Sequence, residues 1–169
     1  MNPPVVSIVA KSGTGKTTLL EKLIIEMKQR GYKVGAIKHD AHRFEIDHEG
    51  KDSWRLTQAG ADTMLISSSN MLAHVKKYNP KDQPSLAENV TTYFSDVDIV
   101  LTEGFIKSTM PKIEVHRQEY SDRLLCRDEQ YDLNLIAVAS DCSLDIDVPV
   151  FDLNDSKGLC DFIEDNYLR

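Results

Sequence analysis

Two glycines, a lysine and a threonine near the start of the chain stand at the spacing of a phosphate-binding loop: Ala10-Lys11-Ser12-Gly13-Thr14-Gly15-Lys16-Thr17-Thr18. The pattern matches G-x-x-x-x-G-K-[ST], the P-loop, except that Ala10 replaces the first glycine. Glycines allow the backbone to curl so that successive N–H groups point at phosphate oxygens. Lys16 can neutralise the charge of the β- and γ-phosphates, and the Thr17 hydroxyl can bind Mg²⁺. Lys11 to Thr18 are therefore predicted to bind a nucleotide, with Lys16 also assisting hydrolysis.

A P-loop needs a second acid for Mg²⁺ at the end of a neighbouring strand. The segment Asp98-Ile-Val-Leu-Thr-Glu103 offers a carboxylate at each end. Ligands of α/β proteins bind beyond the carboxyl ends of the strands, so the last residue of this segment faces the site. Thr17 and Glu103 are the predicted Mg²⁺ ligands, and Asp98 is expected to be structural.

A polar segment from Lys38 to Lys51 follows the second predicted strand and contains three histidines. In P-loop proteins this position carries a segment that senses the γ-phosphate. The segment could be a solvated loop, or it could bind phosphate or a second anionic ligand through Lys38, His39 and His42, which is the interpretation we favour. A third interpretation is a zinc site made by four side chains, namely His39, His42, His48 and Asp47.

A carboxylate of the same segment could serve hydrolysis. Asp47 or Asp40 could orient the attacking water or bind Mg²⁺, and the sequence does not choose between them. Asp47 is retained as the candidate catalytic carboxylate.

The elements that must position these residues alternate between strands and helices. Residues 5–10 form a short β-branched run typical of a buried parallel strand, and apolar residues then recur at helical spacing over 17–30. Further strands are predicted at 32–37, 63–67, 71–75, 98–102, 112–117, 135–139 and 149–151, and further helices at 53–59, 85–93, 121–126 and from 155 or 156. Alternation within 112–117 predicts an exposed face for His116.

This order of elements indicates an α/β fold of the P-loop NTPase type, with a mainly parallel sheet and helices on both faces. The whole chain, residues 1–169, is expected to form a single domain. No internal repeat or linker divides it.

Composition limits the functions that the chain can have. Its formal charge of −7 disfavours a non-specific nucleic-acid or anionic-membrane binder, because the summed field repels polyanions. Cys126, Cys142 and Cys160 are an odd number at no metal-ligand spacing, which fits a reducing compartment. No apolar run approaches the roughly 20 residues that a membrane-spanning helix requires, and no signal peptide is apparent. A cytoplasmic protein is expected.

Further segments of the chain form a series whose order and spacing are specific, although each is weak alone. They are Ile37-Lys38-His39-Asp40-Ala41-His42, Phe44-Glu45-Ile46-Asp47, Gly50-Lys51-Asp52-Ser53, Ala59-Gly60-Ala61-Asp62, Glu103-Gly104-Phe105 and Pro111-Lys112-Ile113-Glu114-Val115. Together with the P-loop, this series resembles the molybdopterin-guanine dinucleotide biosynthesis adaptor protein B (MobB) family. Ala10 departs from the glycine that the family usually carries there.

The resemblance implies a GTP-binding protein, at most a weak GTPase, that is usually a homodimer and acts in molybdenum cofactor biosynthesis. It also implies a partner, the MobA-type nucleotidyltransferase that joins GMP to molybdopterin to form molybdopterin guanine dinucleotide. The adaptor is expected to assist that step. Within this chemistry, Lys38, His39 and His42 suit a second anion site for the phosphate of molybdopterin.

A preference for guanine over adenine requires a residue that recognises the base. A carboxylate can accept hydrogen bonds from guanine N1–H and the 2-amino group together, whereas adenine presents an acceptor at N1. No Asn-Lys-x-Asp motif occurs in the chain. Asp141, directly after Ile136-Ala-Val-Ala-Ser140, stands where the base lies in related folds, and it is the candidate for this contact.

Two other functions remain open. A small P-loop kinase for a nucleotide or metabolite would close an arginine lid made by Arg117, Arg123 and Arg127 over the phosphates. A partition-type ATPase would switch its dimer through Lys11, by resemblance to loops whose early lysine reaches the partner's nucleotide. Both alternatives would use ATP, whereas the adaptor function requires GTP binding.

Overall fold

The computed structural model describes residues 2–39, 46–128 and 131–169. Its strands are β1 Val5–Val9, β2 Val34–Lys38, β3 Thr63–Ser67, β4 Leu72–Lys76, β5 Ile99–Glu103, β6 Lys112–His116, β7 Leu135–Ser140 and β8 Val150–Asp152. Its helices are α1 Lys16–Gln29, α2 Asp52–Gln58, α3 Leu86–Tyr93 and α4 Ser156–Tyr167, with short 3₁₀ helices at Pro80–Asp82 and Leu125–Arg127. The chain divides into two compact units, Met1–His39 with Leu86–Arg169, and Asp40–Ser85. The single domain expected from length stays a prediction.

The larger unit is built on one parallel sheet. Within the described residues, six strands pair in the order β2-β5-β1-β6-β7-β8, and every neighbouring pair is parallel. The predicted α/β fold with a mainly parallel sheet is confirmed. In this register Glu103 lies opposite both Ile8 of β1 and Lys38 of β2. Parallel pairing therefore brings the ends of these three strands to one edge of the sheet.

Helices cover both faces of this sheet, as the alternation of side chains along the strands requires. On one face, Val6 and Ile8 of β1 belong to a buried cluster with Leu23 of α1 and Leu159 of α4. On the other face, Val5 packs in a cluster with residues of α3 and β5, namely Leu86, Val90 and Val100. Each fully buried aliphatic side chain stabilises the fold by about 1.5–3 kcal/mol, so β1 is held from both sides.

Three ionisable side chains are buried on β6. Lys112, Glu114 and His116 are only 0%, 2% and 4% exposed, so the predicted exposed face of His116 is wrong. The Glu114 carboxylate accepts hydrogen bonds from the backbone N–H groups of Leu125 and Cys126, at 2.6 and 2.9 Å. The connection between β6 and β7 therefore folds back over this face and shields it from water.

The β6–β7 connection is where the secondary structure predicted from the sequence differs most from the structure. A helix was expected at 121–126, but the structure has only the 3₁₀ helix Leu125–Arg127. Glu114 holds the start of that turn, and the Lys112 ammonium pairs with Asp132 at 2.9 Å farther along the connection. These long-range contacts, rather than local helix propensity, determine the path of the chain here.

Two of the cysteines are buried, as expected for core thiols. Cys126 and Cys160 are 2% and 0% exposed. Burial raises the pKa of Cys126 to about 12, and the neighbouring Glu114 carboxylate acts in the same direction. Burial likewise raises the pKa of Cys160 to about 12. Both thiols therefore stay protonated at neutral pH and are poor nucleophiles.

The smaller unit contains α2 and an antiparallel hairpin of β3 and β4. The Ser68 hydroxyl accepts a hydrogen bond from the Met71 N–H at 3.1 Å and so closes the turn of the hairpin. Among residues 46–79 and 81–85 of this unit, none is buried. Four large apolar side chains of the hairpin are exposed to solvent, namely Leu65, Ile66, Met71 and Leu72.

Within residues 2–39, 46–128 and 131–169, no helix combines the length and the apolar character needed to cross a membrane.

We expect Glu114→Gln to lower the free energy of unfolding by about 1–3 kcal/mol, the usual cost of leaving a buried hydrogen-bonding group unpaired. An amide has a single acceptor oxygen, so one of the two N–H groups that Glu114 holds would lose its partner. Urea denaturation measures the change, with the exposed neighbour variant Glu119→Gln as the control. Equal stability of the two variants would contradict the anchoring role of Glu114.

Candidate phosphate-binding site

The loop between β1 and α1 has the backbone shape of a P-loop. Gly13 and Gly15 have φ angles of +83° and +98°, a left-handed region that side chains with a Cβ disfavour. The Thr14 hydroxyl donates to the Lys11 carbonyl at 2.9 Å and closes the loop on itself. Gly15 is the N-cap of α1, so the unpaired N–H groups of the first helical turn follow directly and can receive an anion.

Ala10 fits this loop without strain. Among the non-glycine residues in the described ranges, only Phe105 has a positive φ, so Ala10 adopts a conformation open to any residue. Its methyl group packs against the buried cluster of α1, β1 and α4. Replacement of the usual glycine at this position therefore leaves the loop geometry intact.

The Lys16 ammonium lies at the loop itself. Its Nζ donates to the carbonyl oxygens of Ala10 and Lys11, at 3.2 and 3.1 Å. A lysine ammonium has three donors, so one remains for an additional acceptor such as a phosphate oxygen.

Thr17 and Glu103 are in direct contact. The Thr17 hydroxyl donates to Glu103 Oε2 at 2.9 Å, and the Glu103 side chain is 13% exposed. A hydroxyl and a carboxylate oxygen are ligands that Mg²⁺ accepts in nucleotide sites, where it keeps water and phosphate oxygens as its other ligands. The donor set therefore fits Mg²⁺. Asp98, directly before the start of β5, instead accepts a hydrogen bond from the Lys33 N–H at 2.7 Å.

Lys38 and His39 lie beside this carboxylate. Lys38 Nζ is 3.9 Å from Glu103 Oε1, and the Lys38 side chain is 65% exposed. The His39 N–H donates to the Glu103 carbonyl at 3.0 Å, and its ring centroid lies 4.8 Å from that of Phe105. The structure thus brings two of the three predicted anion-binding residues next to Glu103, while His42 lies outside the described residues.

Phe105 is a residue that the chemistry-based reasoning missed. Its φ of +58° is strained for a residue with a bulky side chain, and strain of this kind concentrates at functional sites. Gly104 before it also has a left-handed φ, and a Cβ there would approach His39 Cβ to 3.4 Å. The sequence signal was the segment Glu103-Gly104-Phe105, whose glycine allows the chain to turn beside the carboxylate.

The connection after β6 packs against the outside of the P-loop. Lys11 Nζ donates to the Ser121 hydroxyl at 2.6 Å, and Arg117 Nε donates to the Thr14 carbonyl at 3.0 Å. The Tyr120 ring lies so close to Gly13 that a Cβ on the glycine would be 3.4 Å from it. Sequence reasoning assigned no loop contact to Tyr120 or Ser121, because nothing local to them indicates it.

Asp141 lies on the same side of the loop. Its Oδ1 accepts the Gln118 N–H at 3.0 Å, and its Oδ2 is 3.8 Å from Arg117 Nη1. The side chain is 33% exposed, so a ligand can reach the carboxylate.

Other predicted site residues are not joined to this group by any described contact. Asp47 belongs to the smaller unit, where a hydrogen bond from the Ser53 side chain and another from the His48 N–H hold its pKa below the usual range. Asp40, like His42, lies outside the described residues. Within the described ranges, no group of three or more His, Cys, Asp or Glu side chains could hold a metal ion. The zinc interpretation includes His42, which lies outside those ranges, and it stays a prediction.

Comparison with known proteins identifies the family. A family model described as molybdopterin guanine dinucleotide synthesis protein B, MobB, matches residues 5–141. The chain belongs to the MobB family. The resemblance inferred from the P-loop and the segments that follow it is confirmed.

Two curated relatives and one solved structure show how far this likeness extends. The molybdopterin-guanine dinucleotide biosynthesis adapter protein of Haemophilus influenzae is 39% identical over 168 residues, covering 98% of this chain and 90% of the relative. The protein of the same name from Escherichia coli is 38% identical over 163 residues, covering 95% and 91%. The crystal structure of Bacillus subtilis MobB matches with a TM-score of 0.77 at 25% identity, covering 98% of each chain.

We expect Glu103→Gln to weaken the binding of Mg²⁺ with a nucleotide by about tenfold or more, since an amide carries no charge for the cation. Nucleotide titrations at a series of Mg²⁺ concentrations measure the change. The control is Asp98→Asn, the same kind of substitution directly before the start of β5. A Glu103→Gln protein with the Mg²⁺ dependence of the wild type would exclude Glu103 as a ligand.

Proposed function

We propose that this chain is a GTP-binding adapter in molybdenum cofactor biosynthesis, which assists the attachment of GMP to molybdopterin. The observation that carries the proposal is the direct contact between Thr17 and Glu103 beside a P-loop, in a member of the MobB family. The curated relatives are named as adapter proteins for molybdopterin-guanine dinucleotide biosynthesis, which supports the same role here.

The nucleotide is proposed to be Mg²⁺-GTP. The N–H groups of residues 13–18 would surround the phosphates, and Lys16 would supply a positive charge to the β- and γ-phosphates. Thr17 and Glu103 would hold Mg²⁺, which when bound neutralises charge on the phosphate oxygens. Hydrolysis is proposed to be weak at most, with Lys16 stabilising charge and Asp47 available as an ionised group to orient water.

Guanine is proposed to contact Asp141. Oδ2 of this carboxylate lies 3.8 Å from Arg117, too far for a hydrogen bond, so it retains acceptor capacity for guanine N–H groups. Oδ1 accepts one N–H from Gln118, and a carboxylate oxygen can accept a second. The hydrogen bond from Gln118 would hold the carboxylate in a fixed orientation for the base.

A second anion is proposed to bind at Lys38, His39 and His42. Lys38 supports this proposal because its ammonium is exposed and lies near the Mg²⁺ candidate Glu103. A phosphate bound there, such as that of molybdopterin, would sit close to the γ-phosphate side of the nucleotide. This arrangement would bring the two components of the dinucleotide together for the MobA-type nucleotidyltransferase.

The protein is further proposed to act as a cytoplasmic homodimer. The smaller unit supports this, since none of its residues 46–79 and 81–85 is buried and four large apolar side chains of its hairpin are exposed. Apolar surface of this kind on a small unit usually marks a contact with another chain. Cys126, Cys142 and Cys160 are free thiols, which suits a reducing compartment.

The described contacts favour neither alternative function. The three arginines proposed for a kinase lid already have partners, namely the Thr14 carbonyl for Arg117, Asp128 for Arg123 and Asp147 for Arg127. Lys11, on which a partition-type dimer switch would depend, is bound to Ser121 of its own chain.

We expect the protein to bind GTP more tightly than ATP, and Asp141→Asn to weaken GTP binding by about tenfold or more, as for other hydrogen bonds to charged groups. ATP binding should change little, because adenine has no paired donors for this carboxylate. Calorimetric titration of each nucleotide measures both effects, with the exposed variant Asp145→Asn as the control. Tighter binding of ATP than of GTP would overturn the proposed function.

We expect the purified chain to raise the yield of molybdopterin guanine dinucleotide when it is added to a MobA-type nucleotidyltransferase, molybdopterin and Mg²⁺-GTP. Lys16→Ala should abolish this gain, because the loop would lose its phosphate-binding ammonium. Lys22→Ala, on the same helix and bound instead to Asn154, should retain it. The product is quantified by chromatography. An equal gain from both variants would show that nucleotide binding to this P-loop is not needed.

A further inference from the structure

Arg117 connects the end of β6 to the outside of the P-loop. It directly follows His116, the last residue of β6, and in the sheet register Glu114 lies opposite Val9, the last residue of β1. From this position the Arg117 guanidinium reaches the loop, where Nε donates to the Thr14 carbonyl at 3.0 Å. The side chain is 38% exposed, so the contact is at the surface rather than in the core.

The Thr14 carbonyl belongs to the peptide unit whose N–H is that of Gly15. A trans peptide is planar, so its C=O and N–H point in opposite directions, and the described residues contain no cis peptide. Fixing the carbonyl on Arg117 therefore fixes the Gly15 N–H on the opposite side, away from Arg117. The P-loop motif predicts that N–H groups at this point of the loop face the phosphates.

This peptide unit is the part of the loop that needs such a restraint. Gly15 has a φ of +98°, and a glycine can adopt either sign of φ at little steric cost. A carbonyl without a partner could therefore turn over and withdraw the N–H from the phosphate. The Thr14 side chain cannot prevent this, because its hydroxyl is used on the Lys11 carbonyl.

We propose that Arg117 is a positioning residue for the nucleotide: by holding the Thr14 carbonyl from outside the loop, it keeps the Gly15 N–H aimed at a phosphate oxygen. The inference rests on the proposed binding of a nucleotide by this P-loop. It assigns Arg117 neither a contact with the ligand nor a place in a lid.

Geometry favours the carbonyl over Asp141 as the main partner of Arg117. The bond to Thr14 is 3.0 Å long, whereas the nearest approach to Asp141 is 3.8 Å, beyond hydrogen-bond distance. Packing agrees, because a Cβ on Gly15 would lie 3.9 Å from Arg117 Nη2. Arg117 therefore acts on the phosphate loop first, and its effect should be independent of the base.

The test compares Arg117→Gln, Arg117→Lys and a matched control, Arg123→Gln, in the full-length protein. Arg123 lies on the same connection, but its guanidinium pairs at the surface with Asp128 rather than with a carbonyl of the loop. Inorganic pyrophosphate and GTP, each with Mg²⁺, are the probes, and their dissociation constants are measured by calorimetry. Thermal unfolding is measured in parallel, and a ¹H–¹⁵N spectrum follows the Gly15 amide.

We expect Arg117→Gln to weaken pyrophosphate and GTP by the same factor, about tenfold, as for the loss of a hydrogen bond made by a charged group. Thermal stability should stay that of the wild type, the Gly15 amide signal should shift or broaden in the free protein, and Arg117→Lys should restore part of the affinity. Arg123→Gln should match the wild type in every measurement.

Three results would overturn the inference, and only the third would also overturn the proposed function. Unchanged affinity of Arg117→Gln for both probes would exclude the positioning role and leave nucleotide binding intact. A loss confined to GTP would show that Arg117 acts on the base through Asp141 instead. A wild-type protein that binds neither probe would overturn the proposed function together with the inference.

Discussion

The register of β5 between its two neighbours, β1 and β2, is the constraint on which the site depends. β1 leads directly into the P-loop, and its pairing with β5 sets Glu103 opposite Ile8, near the point where the loop begins. The same glutamate lies opposite Lys38 because β2 pairs with β5 on the other side. A shift of the β1–β5 pairing by one residue would turn the Glu103 side chain to the opposite face of the sheet and separate it from Thr17. A shift of the β2–β5 pairing would separate Lys38 from Glu103 in the same way. The side chains of β1 pack against α1 and α4 on one face of the sheet and against α3 on the other, and this packing opposes a shift of the β1–β5 pairing.

Buried charged side chains hold the β6–β7 connection against the sheet, whereas helices cover the sheet elsewhere in this fold. α1 and α3 cover the sheet with apolar side chains, but the connection after β6 has only a short 3₁₀ helix and must be held by other means. Glu114 holds two backbone N–H groups, and Lys112 pairs with Asp132. A buried charge without its partner is strongly unfavourable, so these contacts define one path for the chain. That path places Arg117 and its neighbours against the P-loop.

Local patterns predicted the fold and the position of Glu103, because both follow from rules that operate over a few residues. The strand before the loop, the helix after it and the acid that ends β5 can all be recognised from spacing and composition. The burial of His116 and the absence of a helix at 121–126 could not be predicted in this way. They result from the contacts that Glu114 and Lys112 make with residues of the β6–β7 connection. The hydrogen bond between Arg117 and Thr14 was equally hidden, because its partners are 103 positions apart in the sequence. Nothing near either residue indicates such a contact.

The acidic composition and the cationic loop are compatible because electrostatic effects have a limited range. The chain carries a formal charge of −7, yet Lys11, Lys16 and Arg117 all bond to atoms at or beside the P-loop. At physiological salt the Debye length is about 8 Å, so distant carboxylates are largely screened from a phosphate in the loop. The net charge still opposes the binding of long polyanions, which extend beyond that distance. The same charge distribution therefore allows a small phosphate-bearing ligand to bind and disfavours the binding of nucleic acid.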